Sequence, residues 1–396
     1  MSRIDELIER LCPDGVEYKA LGKIAKYGRD RIPASKVSEG CYVGVNELLQ
    51  EYRGRSYEVH YPAEERCIAF HPGDVLLGNI RPYLKKMWLA DCEGGTNGDV
   101  LVIRINDTAE VAPEFLWQVL AGGLFTEYNI QHSKGAKMPR GDKKAILEAK
   151  IPVPPMEVQQ EIVRVLDSFA KLETELEAEL EARQSQFDYY RNRMLIDSAE
   201  GAANVPLARI GTFTGSTPKK SEQRFFGDEH PFYKPGDFNT GESIGTSEDG
   251  LTSEGLAASR VVPQDATMVV CIGATIGKVG YALETGSCNQ QINVILPNED
   301  FNPRYVFHLA NSRIVQDQVA RLGNFSSMPI LSLKKFNQIE IPMPPREVQD
   351  RVSNALDKFD AIVHDISDGI PAEISSRQVQ YAYYRDRLLA FRERVA

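Results

Sequence analysis

Ile151-Pro152-Val153-Pro154-Pro155-Met156-Glu157-Val158-Gln159 opens a long polar helix, and Ile341-Pro342-Met343-Pro344-Pro345-Arg346-Glu347-Val348-Gln349 opens another. The first runs to Tyr189-Tyr190-Arg191-Asn192-Arg193-Met194-Leu195, the second to Tyr383-Tyr384-Arg385-Asp386-Arg387-Leu388-Leu389. Between those ends Leu166-Asp167 and Phe169 answer Leu356-Asp357 and Phe359. The offset is 190 residues at the front (151 to 341) and 194 at the back (189 to 383), so the second copy holds four more residues. Two unrelated helices that each followed a proline-rich loop would not share matched ends. The chain is a duplicated half.

The apolar spacing inside each copy shows what the helices do. Val158, Ile162, Val165, Phe169, Leu172 and Leu176 alternate steps of four and three, a coiled-coil seam. Leu172, Leu176 and Leu180 then give two successive fours, a stutter, at the tandem Glu173-Thr174-Glu175-Leu176 and Glu177-Ala178-Glu179-Leu180. The second copy keeps the seam at Val348, Val352, Phe359, Ile362, Val363 and Ile366, then meets Gly369-Ile370-Pro371. Proline there ends one helix and suits the first turn of the next. Packed antiparallel on each other, the two copies form a ruler. A helix over 157–195 is about 58 Å long at ~1.5 Å per residue, the length of about seventeen base pairs.

The segments before the helices also correspond. Residues 1–150 begin with a short helix (Ile4, Leu7, Ile8, Leu11) stopped at Cys12-Pro13-Asp14-Gly15. Strand-length apolar runs follow at 75–80, 87–90 and 100–105, then a helix from Pro113 and a basic loop, Ser133-Lys134-Gly135-Ala136-Lys137-Met138-Pro139-Arg140. Residues 201–340 retrace that order with strands at 269–273, 278–282 and 291–296, a helix from Pro303, and Gly323-Asn324-Phe325-Ser326-Ser327-Met328-Pro329. The fold class is therefore α+β. Two similar domains, 1–150 and 201–340, alternate with helical regions 151–200 and 341–396 in an internal pseudo-two-fold repeat. One framework carrying two unlike loop sets is the pattern of a recognition protein with two targets.

Composition narrows the classes. At 396 residues the chain exceeds one compact core. No run of eighteen apolar residues exists, so no membrane-spanning helix is expected, and the polar start lacks the apolar core of a signal peptide. Six scattered cysteines without a C-x-x-C pair read as thiols of a reducing cytoplasm, the expected location, and not as a zinc site. The net charge is −10, but residues 151–200 hold 5 Lys+Arg against 11 Asp+Glu, −6 of that total. The acidity sits on the first long helix, which leaves the domains free to bind nucleic acid.

Catalytic signatures are missing. Gly273-Ala274-Thr275-Ile276-Gly277-Lys278 imitates a phosphate loop, but has too few residues between its glycines and Val279 where a hydroxyl is required. It reads as strand-turn-strand, with Lys278 a phosphate contact. No G-x-G-x-x-G, H-E-x-x-H or G-x-S-x-G occurs, and the expectation is a chain without catalytic residues, metal or cofactor of its own. What remains is basic and polar residues in loops. The first domain offers Arg29, Arg31, Lys36, Arg53, Arg55, Lys134, Lys137, Arg140, Lys143 and Lys144. The second offers Thr217, Lys219, Lys220, Arg224, Lys234, Lys278, Arg321, Lys334 and Lys335. Such side chains position a duplex through phosphates and specify it where they reach base edges.

With these motifs the chain resembles, over essentially its full length, the specificity subunit of type I restriction–modification enzymes. The doubled Ile-Pro-x-Pro-Pro-x-Glu-Val-Gln, the Tyr-Tyr-Arg-x-Arg endings, Gly369-Ile370-Pro371-Ala372-Glu373-Ile374 and Gly215-Ser216-Thr217-Pro218 carry the resemblance. The first domain has Gly28-Arg29-Asp30-Arg31-Ile32-Pro33 in place of that last tetrapeptide. The resemblance implies two target-recognition domains, each reading half of a split, asymmetric double-stranded DNA sequence. It implies helical regions that space them and dock two modification (methyltransferase) subunits, here through Tyr189, Tyr190, Arg191, Arg193, Tyr383, Tyr384, Arg385 and Arg387. S-adenosylmethionine, ATP and Mg would belong to those subunits and to the restriction/translocase subunits. The residues alone also leave open a coiled-coil scaffold or an enzyme whose site is assembled from distant residues, and the family a silent specificity allele.

Overall fold

The computed structural model describes residues 3–58, 60–61, 65–219, 221–239, 243–296, 298–323, 329–364 and 369–394. In chain order the first half contains α1 (Arg3–Leu11), β1 (Glu17–Ala20), α2 (Leu21–Ile24), β2 (Ala25–Tyr27), β3 (Arg31–Pro33), β4 (Arg66–Phe70), β5 (Val75–Gly78), β6 (Met87–Leu89), β7 (Gly94–Thr96) and β8 (Val100–Ile105). There follow α3 (Pro113–Ala121), α4 (Gly123–Gln131), α5 (Lys143–Glu148), β9 (Lys150–Val153) and the 43-residue α6 (Met156–Ser198). Pro113 occupies the first turn of α3, where its missing N–H costs nothing. The stutter at Leu172–Leu180 leaves α6 unbroken.

The second half repeats this with longer insertions. It contains β10 (Ala203–Pro206), β11 (Thr212–Thr214), β12 (Phe226–Tyr233), β13 (Ser243–Ile244), β14 (Gly250–Leu251), α7 (Ser253–Ala257), β15 (Val261–Val262), β16 (Thr267–Val270), β17 (Val279–Ala282), β18 (Gly286–Cys288) and β19 (Ile292–Ile295). It closes with α8 (Pro303–Asn311), α9 (Arg313–Leu322), α10 (Leu333–Phe336), β20 (Glu340–Met343), α11 (Arg346–His364) and α12 (Ile370–Leu389). Pro371 sits in the first turn of α12, as its fixed φ favours.

Each half builds the same central sheet. The order is β2-β8-β5-β6 in the first and β11-β19-β16-β17, extended by β13, in the second. The short antiparallel pairs β1–β9 and β10–β20 hold each Ile-Pro-x-Pro stretch against the start of its own domain. A second small sheet lies beyond each central one, β3-β4-β7 and β14-β12-β18-β15.

The chain divides into two compact units, residues 1–174 with 376–396 and residues 175–375. The cut falls inside the long helices, not at their ends. Each unit thus contains one mixed domain, the front of the helix after it and the back of the other helical copy. In unit 1, Phe169 stacks on Tyr384 at 5.4 Å and Gln378 Nε2 donates to Glu173 Oε1 at 2.6 Å, so the two helical segments run antiparallel. In unit 2, Phe187 and Tyr190 pack on Phe359 at 5.5 and 6.1 Å. The variable residue of Tyr-Tyr-Arg-x-Arg ties helix to domain. Asp386 Oδ1 accepts from Gly123 N–H at the start of α4 (2.9 Å), and Asn192 Oδ1 accepts from Arg313 N–H at the start of α9 (2.7 Å). Both satisfy a first-turn N–H that the helix itself leaves open.

Candidate nucleic-acid interface

In unit 1 three loops are drawn together by backbone hydrogen bonds. Tyr52 N–H donates to Lys85 O (2.8 Å) and Glu51 N–H to Leu84 O (3.2 Å), and Arg81 N–H donates to Pro139 O (2.7 Å). Lys134 and Arg140 exchange two bonds of 2.8 Å, closing the Lys134–Arg140 loop on itself. The result gathers Arg53, Lys134, Lys137 and Arg140, all exposed, with Arg81, Tyr83 and Lys85. Sequence reading missed the last three. Arg81 holds φ 51° and ψ 67°, and Lys85 φ 51°, a left-handed conformation that costs a side chain about 1 kcal/mol or more. In unit 2 the equivalent bond runs from Gly273 N–H to Pro329 O (3.0 Å), with Gly273 at φ 106°. Glycine removes the strain in one domain, whereas the other keeps arginine. A non-glycine residue with positive φ beside a basic loop marks Arg81 as a candidate, and that mark is not visible in the letters.

The other first-domain candidates divide by what they touch. Arg29, Arg31 and Lys36 are exposed around β3, an edge strand of the separate sheet. Arg104 steadies that segment by clamping Asp74 (2.8 Å) and Asp30 (2.9 Å). Arg55 is turned inward. Its guanidinium donates to Gly40 O at 2.5 Å and lies over Trp88 and Tyr57 at 4.7 and 4.5 Å, so it holds the fold of its loop. Lys134 is paired with Asp142, Arg140 with Asp99 at 3.1 Å and Lys144 with Glu148 at 3.8 Å. Asp142 also caps α5 by accepting from Lys144 and Ala145 N–H. These bonds, led by that from Lys134, hold its carboxyl down at about 2. Lys137 and Lys143 are exposed.

In unit 2 the candidates are more scattered. Thr217 Oγ1 donates to Gln290 Oε1 at 2.8 Å, and Lys219 lies 3.9 Å from Glu222. Arg224 bridges Glu222 and Glu254 at 2.8 and 3.0 Å, which raises its already high pKa. Lys234 pairs with Asp249. Lys278 is exposed in the turn between β16 and β17, as the strand-turn-strand reading requires. Arg321 Nε donates to Asp317 O (3.2 Å) and Lys335 Nζ to Leu322 O (2.9 Å), while Lys334 is exposed. Lys220 and residues 324–328 of the second Met-Pro loop lie outside the described residues.

The helix endings present two kinds of side chain. Tyr189 and Tyr383 are 65% and 60% exposed, Tyr190 is 43% exposed, and Arg193 (3.0 Å from Asp197) and Arg387 face solvent. Tyr384 is half-buried on Phe169. Arg191 and Arg385 point into their units. Arg191 is 6% exposed, pairs with Asp188 and covers the Phe187 ring at 4.9 Å, and Arg385 lies over Tyr381 at 5.4 Å. Their guanidinium planes spend themselves on internal aromatic faces.

One buried polar cluster distinguishes unit 2. His308 is fully buried, 2.8 Å from Asp357 Oδ1 through Nε2, and Arg304 reaches Asp357 (2.7 Å) and Asp360 (3.0 Å). A carboxylate can only accept, so Nε2 carries the proton, and Nδ1 has no partner. Burial pushes the imidazole below its ordinary pKa, aided by Arg304 and opposed by Asp357. Burial alone would raise Asp357, but His308 and Arg304 outweigh it and hold that carboxyl below its usual value. Unit 1 has Gln118 at the equivalent place, hydrogen-bonded to Tyr381 Oη at 3.0 Å.

Among the described residues no group of three or more His, Cys, Asp or Glu could hold a metal, and no helix is long and apolar enough to cross a membrane. The scaffold is repeated in the two units, and the loops it bears differ between them. The family model described as the type I restriction modification DNA specificity domain matches residues 13–182 and again 203–376, and the chain belongs to that family. The type I restriction enzyme EcoR124I/EcoR124II specificity subunit of Escherichia coli is 31% identical over 258 residues, 62% of this chain and 64% of that protein, just under two thirds of its length. A putative type I restriction enzyme specificity subunit of Haemophilus influenzae is 27% identical over 399 residues, covering 95% of this chain and 96% of its own. A solved chain of a type I R-M system matches with TM-score 0.60 at 18% identity, over 95% of this chain and 97% of that one. The S subunit of a type I system from M. genitalium matches with TM-score 0.50 at 14% identity, over 95% and 96%. At these identities the structures share the fold.

Proposed function

We propose that the chain is the non-catalytic DNA-reading subunit of a cytoplasmic type I enzyme. Each mixed domain reads one half of a split target in double-stranded DNA, and the helical regions fix the spacing. One observation carries this reading. The two units keep the same sheet order and the same helix-to-domain bonds, while their loops differ in sequence, charge and insertions. In unit 1 the converged loops supply phosphate contacts through Lys137, Arg53 and Arg140, with Arg81 and Tyr83 set to approach base edges.

The solvent-facing Tyr189, Tyr190, Tyr383, Arg193 and Arg387 supply the docking surface for two modification subunits, one per half. Adenine methylation, with S-adenosylmethionine, is the work of those subunits, and ATP-driven translocation and cleavage that of restriction subunits. The test is a domain exchange. Replacing residues 207–338 with the corresponding segment of the Haemophilus relative should change one half of the methylated motif and leave the other half intact. A change in both halves, or in neither, would refute the division of labour.

A further inference from the structure

Helix α1 of unit 1 has no counterpart among the described residues of unit 2. Helix α1 lies on the start of α6, with Arg3 Nε 3.7 Å from Glu161 Oε2. Ile4 is 5% exposed, and Leu7, Ile8 and Leu11 are packed, with Leu388, against the buried cluster that contains Val158 and Ile162. In unit 2 the chain enters β10 directly from the end of α6, through residues 199–202. The positions equivalent to Val158, Ile162 and Leu388 are Val348, Val352 and Met194. There they wall an open groove of about 450 Å³ with Pro344 and Pro345. Val158 is fully buried, whereas Val348 is partly exposed.

At one position of the rim the charge is inverted. Glu161, held by Arg164 at 2.5 Å and lying 3.7 Å from Arg3 in unit 1, corresponds to Arg351 in unit 2. Arg351 is exposed, lines the groove and has no carboxylate partner among the described residues. The opposite wall carries Glu200 and Asp197, the latter already held by Arg193. We propose that this groove docks an amphipathic helix of a partner protein, laid as α1 lies on unit 1, with a carboxylate where α1 has Arg3. The i, i+3, i+4 apolar spacing of α1 (Ile4, Leu7, Ile8, Leu11) describes the stripe the occupant needs. A second copy's α1 fits poorly, since its Arg3 would meet Arg351. The inference rests on the reading that the chain works in an assembly, and it is independent of which DNA is read.

The probe is a fluorescein-labelled, helix-stapled peptide of residues 3–12, in its natural form and with Arg3→Glu, titrated into the full chain without DNA. The Arg3→Glu peptide should bind about fivefold more tightly than the natural one, the scale of one solvent-facing charge pair. In the Arg351→Glu chain the order should reverse, and Val348→Arg should abolish binding of both peptides while circular dichroism stays unchanged. Affinities indifferent to residue 351, or no binding of either peptide, would overturn the proposal. Since no methylation is measured, that failure is separable from failure of the DNA-reading assignment.

Discussion

Gln159 and Gln349 make the same three hydrogen bonds in the two units. Gln159 accepts from Ala112 N–H (2.9 Å) and donates to Glu110 O and Pro154 O (both 2.8 Å). Gln349 accepts from Asn302 N–H (2.8 Å) and donates to Asp300 O (3.0 Å) and Pro344 O (2.9 Å). Both side chains are fully buried. The glutamine of the doubled motif therefore welds the helix start to the loop that launches the helix after the last strand of the central sheet. Gln349→Leu keeps the volume but orphans one N–H and leaves two carbonyls short of a partner. It should cost about 2–3 kcal/mol, seen as a lower denaturation midpoint and faster hydrogen exchange at Asn302 but not at Ala112. Gln159→Leu should give the mirror result.

Arg81 and Gly273 set up a comparison of side chain against backbone. Arg81→Ala and Arg81→Gly both remove the guanidinium, and both should weaken DNA binding. Only glycine relieves the left-handed conformation at φ 51°. The Gly variant should be the more stable of the two by about 1 kcal/mol, measured by thermal unfolding. Equal stabilities would mean that the turn relaxes around any residue.

His308 gives unit 2 an acid sensitivity. Its folded pKa is depressed, so the unfolded chain binds the proton more readily. The stability this provides is present above the unfolded pKa, about 6.5, and is lost as pH falls below it toward the folded value, with a slope of up to ~1.4 kcal/mol per pH unit. The lowered carboxyl of Asp357 acts at more acidic pH and stays out of that window. Chemical denaturation between pH 7 and 5.5 should show the slope in the native chain. His308→Gln, which installs the residue type found at Gln118, should flatten it.

Two cations of the first domain should behave in opposite ways. Lys137→Ala leaves the fold alone and should lower the slope of log affinity against log salt by about one, the loss of one phosphate contact. Arg55→Ala removes the bond to Gly40 O and the packing on Trp88. It should instead lower stability by about 2 kcal/mol, with DNA binding at native conditions affected only as its loop loosens. A salt titration beside a melting curve separates them.

The repeat, the helix start at Pro371 and the central strands were legible because each rests on local periodicity or on a proline. The seam was legible only in part: Val158, Ile162 and Val363 are buried, but Leu172 and Ile362 are exposed, and Ile366 lies outside the described residues. The outer sheets were not, since β14 and β15 have two residues each and take their pairing from strands distant in sequence. The exchange of helix halves between units was also hidden, because no residue pattern marks where contacts change sides. For the candidate interface, sequence reading nominated basic loops but could not see which cations an acid or a ring had claimed. Arg55, Arg191 and Arg385 look like surface charges in the letters and lie against aromatic faces in the fold. Arg81 was overlooked because its distinction is a backbone angle.

The most direct measurement is to express the chain with and without its modification subunit in a methylation-free host and map methylated adenines across the genome. The account predicts a split motif with a fixed gap, appearing only when both proteins are present. A stable complex that methylates nothing, or a continuous undivided motif, would contradict it.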